Sequence, residues 1–201
     1  MGDSGDAVLS ELQRLKIEHR FNLLDADDNG IVERADFELV AWRVSTELSF
    51  ERDIEPETII RLRKAYLALW DRLCDGRDAN QDGKVSREEF VASIGHVVVE
   101  SQGGYDQALR PIVDAVLDML DYDGDGTVSR DEFRIWFRAY GVPPDEVDEA
   151  FSRLDLDHNG LLDRAEIQKA VEDFYTSDDV GSPGNVLFGV FGGRNRVGAP
   201  A

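Results

Sequence analysis

The chain has 201 residues, 42% of them hydrophobic and 9% aromatic, a balance that supports a folded core and argues against acid-driven disorder. Its 42 Asp and Glu against 22 Lys and Arg give a formal charge of −20, which repels nucleic acid and anionic lipid and attracts cations. One cysteine, Cys74, can form no internal disulfide, and no apolar run reaches bilayer-crossing length, so a cytoplasmic protein with no nucleic-acid or membrane partner is expected.

From Met1 to Arg20 the chain is charged throughout and offers no apolar core for a signal peptide; Asp6 stands where a myristoylation pattern needs Ser or Thr. Ile17, Phe21 and Leu24 then recur at helical spacing and lead into the acidic segment DADDNGIVERAD, which starts at Asp25. Phe37 opens the next helix, and Thr46 to Pro56 reads as a long connection. Leu69, Trp70 and Leu73 mark a further helix, followed by Asp75-Gly76-Arg77 and by DANQDGKVSREE from Asp78. Arg77 stands where the equivalent helices carry Leu, so this helix is expected to end early, at Gly76, and to hold its segment less firmly. Phe90 follows, and Ser101-Gln-Gly-Gly104 joins the two halves by a short link. Val113, Leu117 and Leu120, with Pro111 near the helix start, precede DYDGDGTVSRDE from Asp121. Gly141-Val-Pro-Pro144 opens a helix with Val147, Phe151 and Leu154 before DLDHNGLLDRAE from Asp155; Phe133 and Ile167 follow the last two segments.

Four twelve-residue segments thus share one pattern, and the pattern is that of an EF-hand loop. Ca²⁺ is a hard cation that takes six to eight oxygens at about 2.3–2.6 Å. Short side chains at positions 1, 3 and 5 place oxygens inward: Asp25, Asp27 and Asn29; Asp78, Asn80 and Asp82; Asp121, Asp123 and Asp125; Asp155, Asp157 and Asn159. A glycine at position 6 permits the loop's reversal. Position 7 offers its backbone carbonyl, which leaves Ile31, Lys84, Thr127 and Leu161 free to differ. Position 9 is Glu33, Ser86, Ser129 or Asp163, and position 12 closes the shell with Asp36, Glu89, Glu132 or Glu166. Ser86 with Glu89, and Ser129 with Glu132, also have the spacing of a capping box. The apolar position 8 (Val32, Val85, Val128, Leu162) suits antiparallel pairing of loop one with two and of three with four.

The expected fold is all-α: two pairs of EF-hands packed into one globule, one over residues 1–102 and one over 105–180. Residues 181–201 form a Gly-rich tail whose Val186, Leu187, Phe188, Val190 and Phe191 are expected to dock between the lobes, with the end from Arg194 disordered. Asp36 is shorter than the Glu at position 12 of the other loops, which favours mixed Ca²⁺ and Mg²⁺ binding at the first site. The third and fourth loops should dominate affinity. Fifteen carboxylates in the four sets repel one another without metal, so a loosened apo state is expected; four Ca²⁺ would bring the formal charge from −20 to −12.

Loop starts lie 53, 43 and 34 residues apart, unlike the near-even spacing of calmodulin-like chains. With ERADFE (Glu33 to Glu38), RPIVDAV before the third loop, EDFYTSDD after the fourth and the GNVLFG tail, residues 8 to 190 resemble the sarcoplasmic calcium-binding protein family, most closely its bacterial calerythrin-like branch. The resemblance implies a compact helical Ca²⁺ and Mg²⁺ buffer or carrier with no obligatory protein target. Relatives in that branch commonly have a degenerate second loop, but Asp78, Asn80, Asp82, Ser86 and Glu89 are all present here. A target-gripping sensor is the competing reading, disfavoured because only Met1 and Met119 could make a flexible groove. A small-ligand carrier is a third, with Trp42, Trp70 and Trp136 as candidate wall residues. The spacing of His19, His96 and His158 gives no catalytic cluster; no enzyme is expected, and the protein is expected to be a monomer.

Overall fold

The computed structural model describes residues 9–25, 27–50, 53–75, 83–121 and 123–189. Ser10 and Gln13 exchange side-chain and backbone hydrogen bonds in a capping box that starts α1 (Glu11–Leu24). There follow β1 (Ile31–Glu33), α2 (Arg34–Phe50), α3 (Pro56–Cys74), β2 (Lys84–Ser86) and α4 (Arg87–Ile94), which continues as a π-helical turn over Gly95–Glu100. The second half comprises α5 (Gly104–Ala108), α6 (Arg110–Leu120), β3 (Thr127–Ser129), α7 (Arg130–Ala139), α8 (Pro144–Leu154), β4 (Leu161–Asp163), α9 (Arg164–Thr176) and a 3₁₀ turn at Pro183–Val186. Pro56, Pro111 and Pro144 all sit in first turns, where the missing N–H costs no intrahelical bond.

Thr46 to Pro56 is not the long connection expected from the sequence. No glycine or proline interrupts residues 46–50, so α2 runs on to Phe50 and α3 begins at Pro56. The wide spacing between the first two loops is absorbed by helices of 17 and 19 residues. Trp42 is a second departure: Trp70 and Trp136 are buried, whereas Trp42 is 62% exposed on α2.

Position 8 pairs the loops as its apolar character predicts. Val32 faces Val85 in β1–β2 and Val128 faces Leu162 in β3–β4, both antiparallel. All four side chains are buried. Aromatics at the helix ends pack beneath each pair, with Phe21 edge-on to Phe90 at 5.6 Å and Phe133 edge-on to Phe151 at 5.5 Å. The two halves share one apolar core: α2 packs on α7, α3 on α6 and α1 on α9. At the rim, Arg61 pairs with Asp118 at 2.5 Å and Arg138 with Glu47 at 2.6 Å. Among the described residues, no helix is long and apolar enough to cross a membrane.

The N-terminal helix is clasped to the C-terminal segment by buried polar groups. Lys16 is fully buried, and its Nζ donates to the Asp173 carbonyl (3.1 Å), the Ser177 carbonyl (2.7 Å) and Asn185 Oδ1 (3.1 Å). Burial is the largest influence on its pKa, lowering it to about 8 against the opposing pull of Asp173 and Asp178. Gln13 Nε2 donates to the Thr176 carbonyl at 2.6 Å, and His19 Nε2 lies 2.8 Å from the Phe188 carbonyl. Beyond the 3₁₀ turn Leu187 is wholly buried, and Phe188 meets Phe174, Tyr140 and Phe137 at 4.9, 5.7 and 6.1 Å. Gly184 permits this approach, because a Cβ there would come within 2.6 Å of the Ala170 carbonyl oxygen.

Candidate metal centres

The first, third and fourth loops each begin on a residue fixed by the helix before it. The amides of Asp25, Asp121 and Asp155 donate to the carbonyls of Phe21, Leu117 and Phe151, and all three adopt one C-cap conformation near φ −67 to −72 and ψ 81 to 83. The backbone then folds around the carboxylates. Gly30 and Gly160 amides donate to the second oxygen of Asp25 (2.9 Å) and Asp155 (3.0 Å), and the amide of Gly126 does the same at Asp121 (3.1 Å). Asn29, Asp125 and Asn159 each accept from the amide two residues on, in Asx turns of 2.7–2.8 Å. Position 6 is left-handed throughout, at φ +73 to +83 in Gly30, Gly83, Gly126 and Gly160. Position 4 is left-handed too, in Asp28, Gly124 and His158, a constraint missed in the sequence. Gly124 was its one visible signal.

The exiting helices are capped by the closing residues. Ser129 N and Oγ both donate to Glu132 Oε2 at 2.8 Å, and Ser86 does the same to Glu89 at 2.9 and 2.8 Å. Asp163 with Glu166 forms a further capping box that the sequence reading passed over, because Asp stands where Ser does elsewhere. Glu166 Oε1 also accepts from the Leu156 amide across the loop at 3.0 Å. Ile31, Lys84, Thr127 and Leu161 begin the four strands.

Two loops bring carboxylates together. One oxygen each from Asp121, Asp123 and Asp125, and likewise from Asp155, Asp157 and Glu166, lie within 4.8 Å of one another. Backbone amides satisfy the outer lone pairs, while Asp121 Oδ1 is buried with no hydrogen-bond partner. Like charges this close repel, and an orphaned buried carboxylate oxygen calls for a cation. The donor set, all hard oxygen, fits Ca²⁺.

The first loop is looser. Asp36 Oδ2 accepts from the Glu33 amide at 2.8 Å, and burial holds its carboxyl above the ordinary range, against that amide and with the help of Asp27, Asp25 and Glu33. Among the described residues its carboxylates form no group as tight as the other two. Glu33 reaches across the β-ladder to Lys84 Nζ at 3.1 Å, its register partner. In the second hand α3 ends at Cys74, and Asp75 takes the conformation (φ −66, ψ 83) that position 1 has in the other loops, three residues ahead of Asp78. Asp78, Asn80 and Asp82 lie outside the described residues.

Comparison with known proteins agrees with this geometry. An EF-hand domain pair model matches residues 77–138 and an EF hand model matches 147–171. Calerythrin of Saccharopolyspora erythraea is 32% identical over 161 residues, 80% of this chain and 90% of its own length. The sarcoplasmic calcium-binding protein beta chain of a Penaeus species is 25% identical over 83% of this chain and 90% of its own. A solved Streptomyces coelicolor calcium-binding protein, described as a basis for prokaryotic calcium-mediated regulation, superposes with a TM-score of 0.69 at 29% identity, covering 82% of this chain and 98% of that one.

Proposed function

Because the chain belongs to the sarcoplasmic calcium-binding protein family, in its calerythrin-like branch, we propose that it is a cytoplasmic Ca²⁺ buffer and carrier rather than a sensor or an enzyme. The observation that carries this reading is the closed interior. Leu187 and Phe188 fill the apolar surface between α7, α8 and α9, and Met119 is buried in the core, so among the described residues no open Met-lined groove awaits a target helix. The two hand pairs, residues 1–102 and 105–180, act as Ca²⁺-binding units of a monomer.

The ligands follow from the loop positions: Asp121, Asp123, Asp125, the Thr127 carbonyl, Ser129 and Glu132 in the third loop, and Asp155, Asp157, Asn159, the Leu161 carbonyl, Asp163 and Glu166 in the fourth. The first loop uses Asp25, Asp27, Asn29, the Ile31 carbonyl, Glu33 and Asp36; the second uses Asp78, Asn80, Asp82, the Lys84 carbonyl, Ser86 and Glu89. Bound Ca²⁺ supplies the positive charge that offsets the repulsion among these carboxylates. The chain's own part at the third and fourth loops is to fix the direction of these carboxylates through Asx turns and capping boxes.

The competing sensor reading draws on the regulatory description of the Streptomyces coelicolor protein. An apolar dye separates the two. As a buffer, the protein binds less dye with Ca²⁺ than with chelator, because metal orders the helices around the core; a several-fold gain in dye fluorescence on adding Ca²⁺ identifies a sensor instead. At the first site, Asp36→Glu restores a longer closing arm. It is expected to raise Ca²⁺ affinity there about tenfold, about 1.4 kcal/mol, and to remove competition by millimolar Mg²⁺. Calorimetric titration in the presence and absence of Mg²⁺ measures both, and a wild-type first site already indifferent to Mg²⁺ overturns the mixed assignment.

A further inference from the structure

The two β-ladders set position 7 of each loop opposite position 9 of its partner. Ile31 faces Ser86, Glu33 faces Lys84, Thr127 faces Asp163 and Ser129 faces Leu161. Side chains directly opposite in an antiparallel pair lie on one face and within reach of each other. Three of the position 9 side chains turn to their own helices: Ser86, Ser129 and Asp163 each accept from the amide of position 12 as N-caps. Glu33 is drawn across the ladder, with Oε1 at 3.1 Å from Lys84 Nζ. Of the four pairs, this one alone sets a cation against a candidate ligand carboxylate.

Position 9 matters most in the first loop. Position 12 there is Asp36, a shorter arm than Glu89, Glu132 or Glu166, and its Oδ2 accepts from the Glu33 amide at 2.8 Å. The long side chain of Glu33 is therefore the loop's means of bringing a further oxygen to an ion. Ca²⁺ takes six to eight oxygens in a flexible shell, whereas Mg²⁺ needs a near-octahedral set at shorter distance and keeps several waters. A loop whose position 9 carboxylate is held elsewhere offers few protein oxygens, which suits the ion that keeps water. The same loop with Glu33 released offers more, which suits Ca²⁺. The Lys84 and Glu33 side chains are 52% and 41% exposed, so solvent screens the pair and its influence is several-fold rather than many orders.

We infer that Lys84 is a specificity-determining residue of the neighbouring first loop: as a cation tethered through the ladder, it holds the Glu33 carboxylate away from the ion and keeps that site open to Mg²⁺. The inference rests on the metal-binding reading of the first loop given above. It adds that the second hand takes part in the first hand's choice of ion, through a side chain that ligates nothing itself.

The test compares the full chain with Lys84→Met, which removes the charge and leaves the position 7 backbone carbonyl, and with Lys84→Arg, which keeps the charge. The Gly30 amide donates to Asp25 Oδ2 at 2.9 Å, so its NMR resonance reports the first loop, while the Gly126 and Gly160 amides report the third and fourth. Each chain is titrated with Ca²⁺ alone and with Mg²⁺ alone. In Lys84→Met the first-loop affinity for Ca²⁺ should rise about three- to fivefold, and that for Mg²⁺ much less. Lys84→Arg should restore the wild-type preference, and intact Gly126 and Gly160 curves verify that the variants are folded. The difference between the chains should fade in about 1 M sodium chloride, where the screening length is about 3 Å. Equal gains for both ions in Lys84→Met would mean simple charge repulsion and overturn the inference; so would a preference unchanged from the wild type. A Gly30 resonance that responds to neither ion in any of the chains sinks the metal-binding reading of the first loop itself, and this inference with it.

Discussion

Chelating calcium is expected to lower the melting temperature of the full chain by about 15–30 °C. The third and fourth loops gather like-charged oxygens within 4.8 Å, and Asp121 Oδ1 is buried without a hydrogen-bond partner. A ligand that binds only the folded state at about a thousand times its Kd adds about 4 kcal/mol per site, so two saturated sites contribute about 8 kcal/mol. For a chain of this size each kcal/mol moves the midpoint by about 2–4 °C. The effect should be concentrated in the second half, where Glu132 and Glu166 both close a loop and cap α7 and α9. Glu132→Gln combined with Glu166→Gln should therefore lose most of the calcium-dependent gain while keeping amide-accepting oxygens at both caps. Circular dichroism melts in Ca²⁺ and in excess chelator measure this directly; superimposable curves would remove the metal from any part in folding.

The EF-hand fold could be read from the sequence because the loop pattern fixes residue type at each position, independently of anything distant. The apolar residue at position 8 carried the pairing, and the ladder partners Val32 and Val85, Val128 and Leu162 follow from it. What escaped is long-range. Lys16 and Arg20 sit on α1 beside Ile17, Phe21 and Leu24; spacing puts Arg20 on that apolar face and Lys16 at its edge, but their charge alone would send both to solvent. They are buried because carbonyls at the end of α9, the Asn185 amide and the rings of Tyr140 and Phe188 receive them, more than a hundred residues away. The helix extents between the first two loops escaped for a different reason. Residues 46–56 carry no strong stop signal until Pro56, and a run of ordinary helix formers was read as a connection. In the second hand the helix was expected to end early, at Gly76, and α3 ends two residues before it, at Cys74.

Removing residues 183–201 is expected to cost about 5 kcal/mol or more of stability even in saturating Ca²⁺, with a fall in melting temperature of about 10–20 °C. Leu187 is wholly buried and Phe188 is 5% exposed, and deleting buried side chains of these types costs about 2–5 and 3–5 kcal/mol. The loss extends beyond apolar area. Lys16 would keep the Asp173 and Ser177 carbonyls but lose Asn185 Oδ1, His19 would lose the Phe188 carbonyl, and Arg20 would lose one of the two rings that lie against it. Each of these groups is on α1, so the truncation should weaken the N-terminal helix as well as the C-terminal half. Hydrogen exchange can separate this from simple fraying: amides of α1 around Lys16 to Leu24 should lose protection together with those of α9. Dye binding in Ca²⁺ should rise several-fold as Phe137, Tyr140 and Phe174 become accessible. A truncated chain with unchanged melting and unchanged dye binding would show that these contacts contribute nothing to closing the core, and the case for a buffer over a sensor would lose its main support.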